Sequence, residues 1–180
     1  MKFVFADSMD YVDPNFDFIK DQTAANRKPY WDDQYPHEIL GYAPYDGMLV
    51  SRAIVGDHRF PGKYSEAQAM RFRRVGARKF LRLERLEHAE MMLMGDCGAF
   101  SYSDMEAPPY TPADTVEFYA DGGFTHGCSI DHIIFEFDLT AHGTNGGSET
   151  ARERFDITLE LAQDFFRASR ALGEGFTPIG

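Results

Sequence analysis

The chain has 180 residues, 43% of them hydrophobic and 14% aromatic, which suits one domain with a sizeable core and excludes a disordered composition. No apolar run approaches the length of a membrane span and residues 1–7 are not a signal peptide, so neither a membrane partner nor secretion is expected. A net charge of −11 argues against a nucleic-acid partner, until its distribution along the chain is considered.

Residues 2–6 read as a first strand, closed by Asp7. Residues 20–46 are rich in Pro, Tyr and Asp and read as a long irregular insertion, of the kind that often carries function. A second strand is expected over 48–55. Residues 59–85 then hold nine cations against Glu66 and Glu84, a net of +7 that leaves −18 for the rest of the chain. Such a stretch is either a solvated helix face or a phosphate-binding strip. Ser65 and Gln68 form a capping box that starts a helix. Spacings of three and four put Arg71, Arg74 and Arg78 on one stripe if that helix continues through Gly76, with Lys79 beside them.

A third strand over 91–94 closes in Gly95-Asp96. Thr111-Pro112 is a strong helix start, since Pro at the first helical position gives up only an N–H that was already orphaned. Gly122-Gly123 stops that helix. A fourth strand is expected over 130–137, ending in Asp138. Thr150 and Glu153 read as a capping box for a last helix, with Phe155, Leu159, Ala162, Phe166 and Leu172 on one face. Residues 176–180 begin a fifth strand.

Strands alternating with helices imply parallel strands joined by right-handed crossovers. The expected fold is α/β: parallel strand–helix repeats forming the N-terminal part of a TIM-type (β/α)8 barrel, about five of eight strands, in one incomplete domain over 1–180. An open doubly wound sheet fits the same pattern. In either, chemistry belongs at the carboxyl ends of the strands, where Asp7, Asp96 and Asp138 fall. Cys97 and Cys128 lie in different segments, too few for a disulfide framework, so reduced thiols and a cytoplasmic home are expected.

The most informative stretch is Gly95-Asp96-Cys97-Gly98-Ala99-Phe100-Ser101-Tyr102. An acid at a strand end is followed by small residues that let a flat ligand approach the backbone, then by an aromatic able to stack on it. That suits a purine-like base. The plainer reading is a tight turn with Phe100 packed in the core. His126, Cys128 and His132 invite a metal, but their spacing is no familiar finger and no fourth ligand is evident. A buried thiol and loop histidines are the expected reading, with His126 and His132 as further candidates for acid/base work or phosphate contact. Asp7 and Asp131 are either pocket residues or local caps, with Asp131 read as a cap.

At Asp96-Cys97-Gly98-Ala99-Phe100-Ser101 the chain resembles the tRNA-guanine transglycosylase superfamily, which carries Asp-Ser-Gly-Gly-Phe/Tyr-Gln there. Arg78-Lys79-Phe80-Leu81 upstream, Phe137-Asp138 downstream and Thr177-Pro178-Ile179-Gly180 at the end match further family motifs in order and spacing over roughly 48–180. The opening Phe3-Val4-Phe5-Ala6-Asp7-Ser8 and the stretch 123–132 resemble the DNA-modifying, DpdA-like 7-deazaguanine transglycosylases most closely. Cys97 in place of Ser and Ser101 in place of Gln are departures, so base recognition is not carried over unchanged.

The resemblance implies queuosine-related chemistry: an Asp outside this chain attacks the sugar, guanine leaves, and a 7-deazaguanine enters the same pocket. It gives Asp96 the acid/base role. Cys97, Gly98, Phe100 and Asp138 bind the base, with Phe100 stacking on it and Asp138 holding its N–H edge. Arg71, Arg74, Arg78 and Lys79 hold the phosphate backbone of DNA. It implies no cofactor in this chain and a zinc cluster in the missing C-terminal part. The second half of the barrel, or a partner chain, completes the fold, and the isolated fragment is expected to be inactive. The alternatives are the same exchange on tRNA, a catalytically silent nucleic-acid-binding subunit, and an unrelated barrel enzyme.

Overall fold

The computed structural model describes residues 1–136 and 147–180. Five parallel strands form one sheet in the order of the sequence: β1 (Val4–Asp7), β2 (Gly47–Ser51), β3 (Met92–Asp96), β4 (His126–Cys128) and β5 (Thr177–Ile179). Sequential order separates the two folds left open above. A doubly wound sheet reverses its strand order at a switch point, whereas crossovers of one hand that always step the same way keep every helix on one face. The arrangement is that of a (β/α) barrel wall.

The helices agree with it. A short helix, α1 (Pro36–Leu40), lies between β1 and β2, and a one-turn helix, α2 (Arg52–Val55), follows β2 directly. The three long helices are α3 (Glu66–Phe80), α4 (Pro112–Gly122) and α5 (Glu149–Ser169), with α3 packed on α4 and α4 on α5. A Cβ added at Gly95 or Gly127 would meet the Tyr119 ring of α4 at 2.1 or 2.5 Å, so these glycines mark the face that carries the helix layer. Met48, Val50, Leu93 and Tyr119 are buried in the core there, with Phe72, Phe80 and Phe165 from the helices.

Side chains alternate across a strand. The other face therefore carries Ala6, Leu49, Met94, His126 and Thr177 as one in-register row. Toward the carboxyl ends the next row holds Ser51, Asp96, Cys128 and Ile179.

Two helix starts follow their capping signals. The Ser65 hydroxyl accepts from the N–H of Gln68, and Thr111 accepts from Asp114. The last helix starts earlier than Thr150: Ser148 is its cap, accepting from the N–H of Ala151. The stretch expected as strand 48–55 splits, because the chain turns into α2 at Arg52. The expected strand over 130–137 is not formed where it is described; β4 is only His126–Cys128, and residues 130–136 run without regular structure. That apolar run is tertiary packing rather than pleat, with Ile130 fully buried beside Cys97 and Tyr102 while Phe135 stands exposed. Residues 8–46 are mostly turns around α1, tied by the isolated bridges Val12–Gln34 and Asp17–Gln22.

Candidate active site

β3 delivers Asp96 to the inner face at its carboxyl end, opposite Ser51 of β2. The chain then turns sharply. Gly98 adopts φ +82°, and a Cβ there would meet the Ala53 Cβ and the Ser51 Oγ at 2.4 Å each, so the turn lies tight against the end of β2. The Gly98 N–H donates to Asp96 Oδ2 at 3.0 Å. A 3₁₀ turn, Ala99–Tyr102, follows; it buries Ala99 and Tyr102 and turns Phe100 out to 77% exposure. The plainer reading of Phe100 as a core residue therefore does not hold.

β4 ends beside β3, and the Ser129 N–H donates to the Ile179 carbonyl at 2.8 Å, which carries the chain along β5. Three residues beyond β4 comes Asp131. Its Oδ1 accepts from the Cys97 thiol at 2.8 Å, and its backbone carbonyl accepts from the Tyr102 hydroxyl at 3.3 Å. Arg154 of α5 bridges the two loops, donating to the Ile133 carbonyl at 2.8 Å and to the Ser103 carbonyl at 2.9 Å.

These elements enclose a cavity of about 720 Å³ at the carboxyl ends of β3, β4 and β5. Asp96, Asp131 and Phe100 line it with Cys128, and α5 contributes Phe155 and Leu159. The walls are mainly apolar and the two carboxylates are the acids among them. Burial raises the Asp96 carboxyl above the ordinary aspartate range and the nearby Asp131 charge adds to it, against the hydrogen bond from the Gly98 N–H. Burial pushes the Cys97 thiol up to about 12 and the Cys128 thiol up to about 11, with Asp96 and Asp131 adding to both.

Cys97 does not line the cavity; it is fully buried behind Asp131. Asp138 lies outside the described residues. The basic residues do not gather at this rim. The crossover α3 runs from the carboxyl end of β2 back toward the start of β3, and Gly76 interrupts it with φ 78° and ψ 166°. Arg71 lies 5.0 Å over the Tyr30 ring, and Arg74 is exposed. Arg78 donates to the His88 and Met91 carbonyls at 2.7 and 2.9 Å, at the amino end of β3. Lys79 pairs with Glu84 at 3.6 Å. One continuous stripe reaching the cavity is thus absent among the described residues, because the helix breaks at Gly76 and its last turn sits at the opposite rim.

Asp131, read from the sequence as a cap in preference to a pocket residue, lies on the cavity wall. The signal was present: β4 places Asp131 three residues past its end, much as β3 ends on Asp96. The longer apolar run that follows drew the expected strand downstream, to Asp138. His132 is 3% exposed; its Nε2 donates to the Met105 carbonyl at 2.8 Å, since a carbonyl only accepts, and its backbone N–H donates to Thr158 Oγ1 at 2.9 Å. His126 sits in the inner row with Nδ1 2.9 Å from Thr125 Oγ1. Among the described residues no three His, Cys, Asp or Glu side chains converge as metal ligands. No described helix is long and apolar enough to cross a membrane.

No family model matches the chain. It is similar to a DNA-guanine transglycosylase from Salmonella montevideo, with 43% identity over 182 residues that take in all of this chain and 42% of that protein. The chain thus spans less than half the length of this curated relative. The similarity to this relative, unlike the motif resemblance, extends over the whole chain.

Proposed function

We propose that the protein containing this chain exchanges guanine in DNA for a 7-deazaguanine base, and that this chain supplies the base pocket. The observation that carries the reading is the pair Asp96 and Asp131 in one apolar cavity, with the exposed Phe100 ring at its wall. Carboxylates suit the N–H edge of a guanine-type base, and an aromatic ring suits its face. The choice of DNA rests on the name of the relative.

In this reading an Asp outside the chain attacks the sugar C1′; the bond from C1′ to the base breaks as the bond to the carboxylate forms. Guanine leaves and needs a proton, which the raised carboxyl of Asp96 is suited to give. The incoming 7-deazaguanine surrenders a proton as it attacks C1′ and displaces the enzyme carboxylate, and Asp96 takes it. Asp131 holds the N–H edge, the role expected for Asp138. The target base must leave the stack to reach such a cavity. The zinc that the resemblance implies finds no fit among the described residues, so no step is routed through it. The nucleophile and the rest of the pocket wall come from residues outside this chain.

The test uses the full-length protein with duplex DNA or tRNA carrying labelled guanine, plus a free 7-deazaguanine. Release of label from DNA that requires the free base is the expected result. Release from tRNA alone, or from neither polymer, would overturn the reading.

A further inference from the structure

Cys97 is adjacent to Asp96 in sequence yet faces the other way, into a small core with Ala99, Tyr102, Tyr110 and Ile130. It has no exposed surface and no place among the cavity walls. Its thiol nevertheless reaches across to the segment after β4 and donates to Asp131 Oδ1 at 2.8 Å. Among the described residues this is the hydrogen bond that the Asp131 carboxylate receives. The main chain of Asp131 is held from the same side by the Tyr102 hydroxyl. Asp131 is thus fastened from behind at side chain and backbone while it fronts the cavity.

A carboxylate on an irregular segment has several rotamers, and a donor behind it selects one. The thiol suits this task. Burial and two neighbouring carboxylates hold its pKa at about 12, so near neutral pH it remains an S–H donor rather than a thiolate.

We propose that Cys97 is a positioning residue of the base pocket, which touches no base itself and orients the Asp131 carboxylate toward the bound base by donating its S–H to Oδ1. The inference rests on the functional reading above, since the ligand that Asp131 faces is the base.

The experiment measures base exchange by the full-length protein, with KM for the free base and kcat determined separately, and thermal melting as the control for folding. Cys97→Val and Cys97→Ala both remove the donor, one near the original volume and one smaller, so either that folds serves. Cys97→Ser keeps a donor. The expected result is a KM raised roughly tenfold in the donor-less variant with kcat within about threefold, and Ser within about threefold of wild type in both. An unchanged KM without the donor would overturn the inference, as would Ser and the donor-less variants rising together, the mark of packing alone. A wild-type protein that exchanges no base would instead sink the functional reading, and this inference with it.

Discussion

The ends of β1 and β3 each present an aspartate, and the two are put to different use. Asp7 pairs across the sheet with Val50, whereas Asp96 pairs with Ser51. One residue of parity separates those positions, and in a strand that is a change of face. Asp7 turns to the helix layer, where it is 3% exposed and accepts from the Tyr64 hydroxyl at 3.1 Å and from the N–H groups of Met9 and Asp10. Asp96 turns to the inner face, into the cavity it shares with Asp131. Burial is the first cause of a raised carboxyl at both. A perturbed acid at a strand end is therefore no sufficient mark of chemistry. What distinguishes Asp96 is access to space that a ligand can fill.

The largest effect that tests this contrast is on exchange activity. In the full-length protein, Asp96→Asn should lower kcat for base exchange by about 10²-fold or more, because the amide keeps the shape but transfers no proton. Asp7→Asn should leave exchange near wild type. Equal losses at both positions, read in the labelled-guanine assay, would erase the distinction between the two faces. Next in size is Asp131→Asn, which should raise the KM for free base by on the order of tenfold, since one acceptor toward the base is replaced by a donor. A KM unchanged by that substitution would return Asp131 to the role of a local cap.

Below these comes a stability effect specific to the cavity side. Arg154 holds the Ser103 and Ile133 carbonyls together across the two loops that flank the cavity. Arg154→Ala should destabilise by about 1–3 kcal/mol in denaturant melts, leaving two carbonyls without their donor. Arg154→Lys should recover little of it, because a single ammonium lacks the fork that meets both. Full recovery by Lys would show that charge rather than geometry holds the loops.

The same parity argument explains what could be read without coordinates. Strand–helix alternation, the caps at Ser65 and Thr111, and Asp96 at the end of β3 are local signals, and each appears where the residues put it. Strand–helix alternation alone did not choose between a barrel wall and a doubly wound sheet, because strand order is a property of pairing between distant segments; the motif resemblance carried that expectation. β4 was missed because His126-Gly127-Cys128 is short and carries no apolar run; its central glycine is there to admit Tyr119. With β4 displaced downstream, Asp131 lost its place at the rim. The basic residues do not form one stripe at the cavity rim for a related reason. Spacing places arginines on a helix face, but which end of the helix meets which rim follows from the crossover, and Gly76 divides the stripe.

The smallest effect is on stability at Asp7, and it depends on pH. Burial raises the Asp7 carboxyl in the folded chain above its value of 3.8 when unfolded. The folded state then binds the proton more tightly than the unfolded state, so protonation favours folding. This contribution is full below the unfolded pKa and is lost as pH rises through the folded one; at neutral pH the buried charge is a net burden. Asp7→Asn is neutral at every pH, and its carbonyl can still accept from Tyr64. The variant should therefore melt slightly above wild type at pH 7, with the advantage shrinking as pH falls toward 4. A variant that is less stable at pH 7 than at pH 4 relative to wild type would mean that the charge on Asp7 is welcomed by its surroundings. The Tyr64 hydroxyl and the two amides would then outweigh burial, and Asp7 would be a folding anchor rather than a tolerated cost.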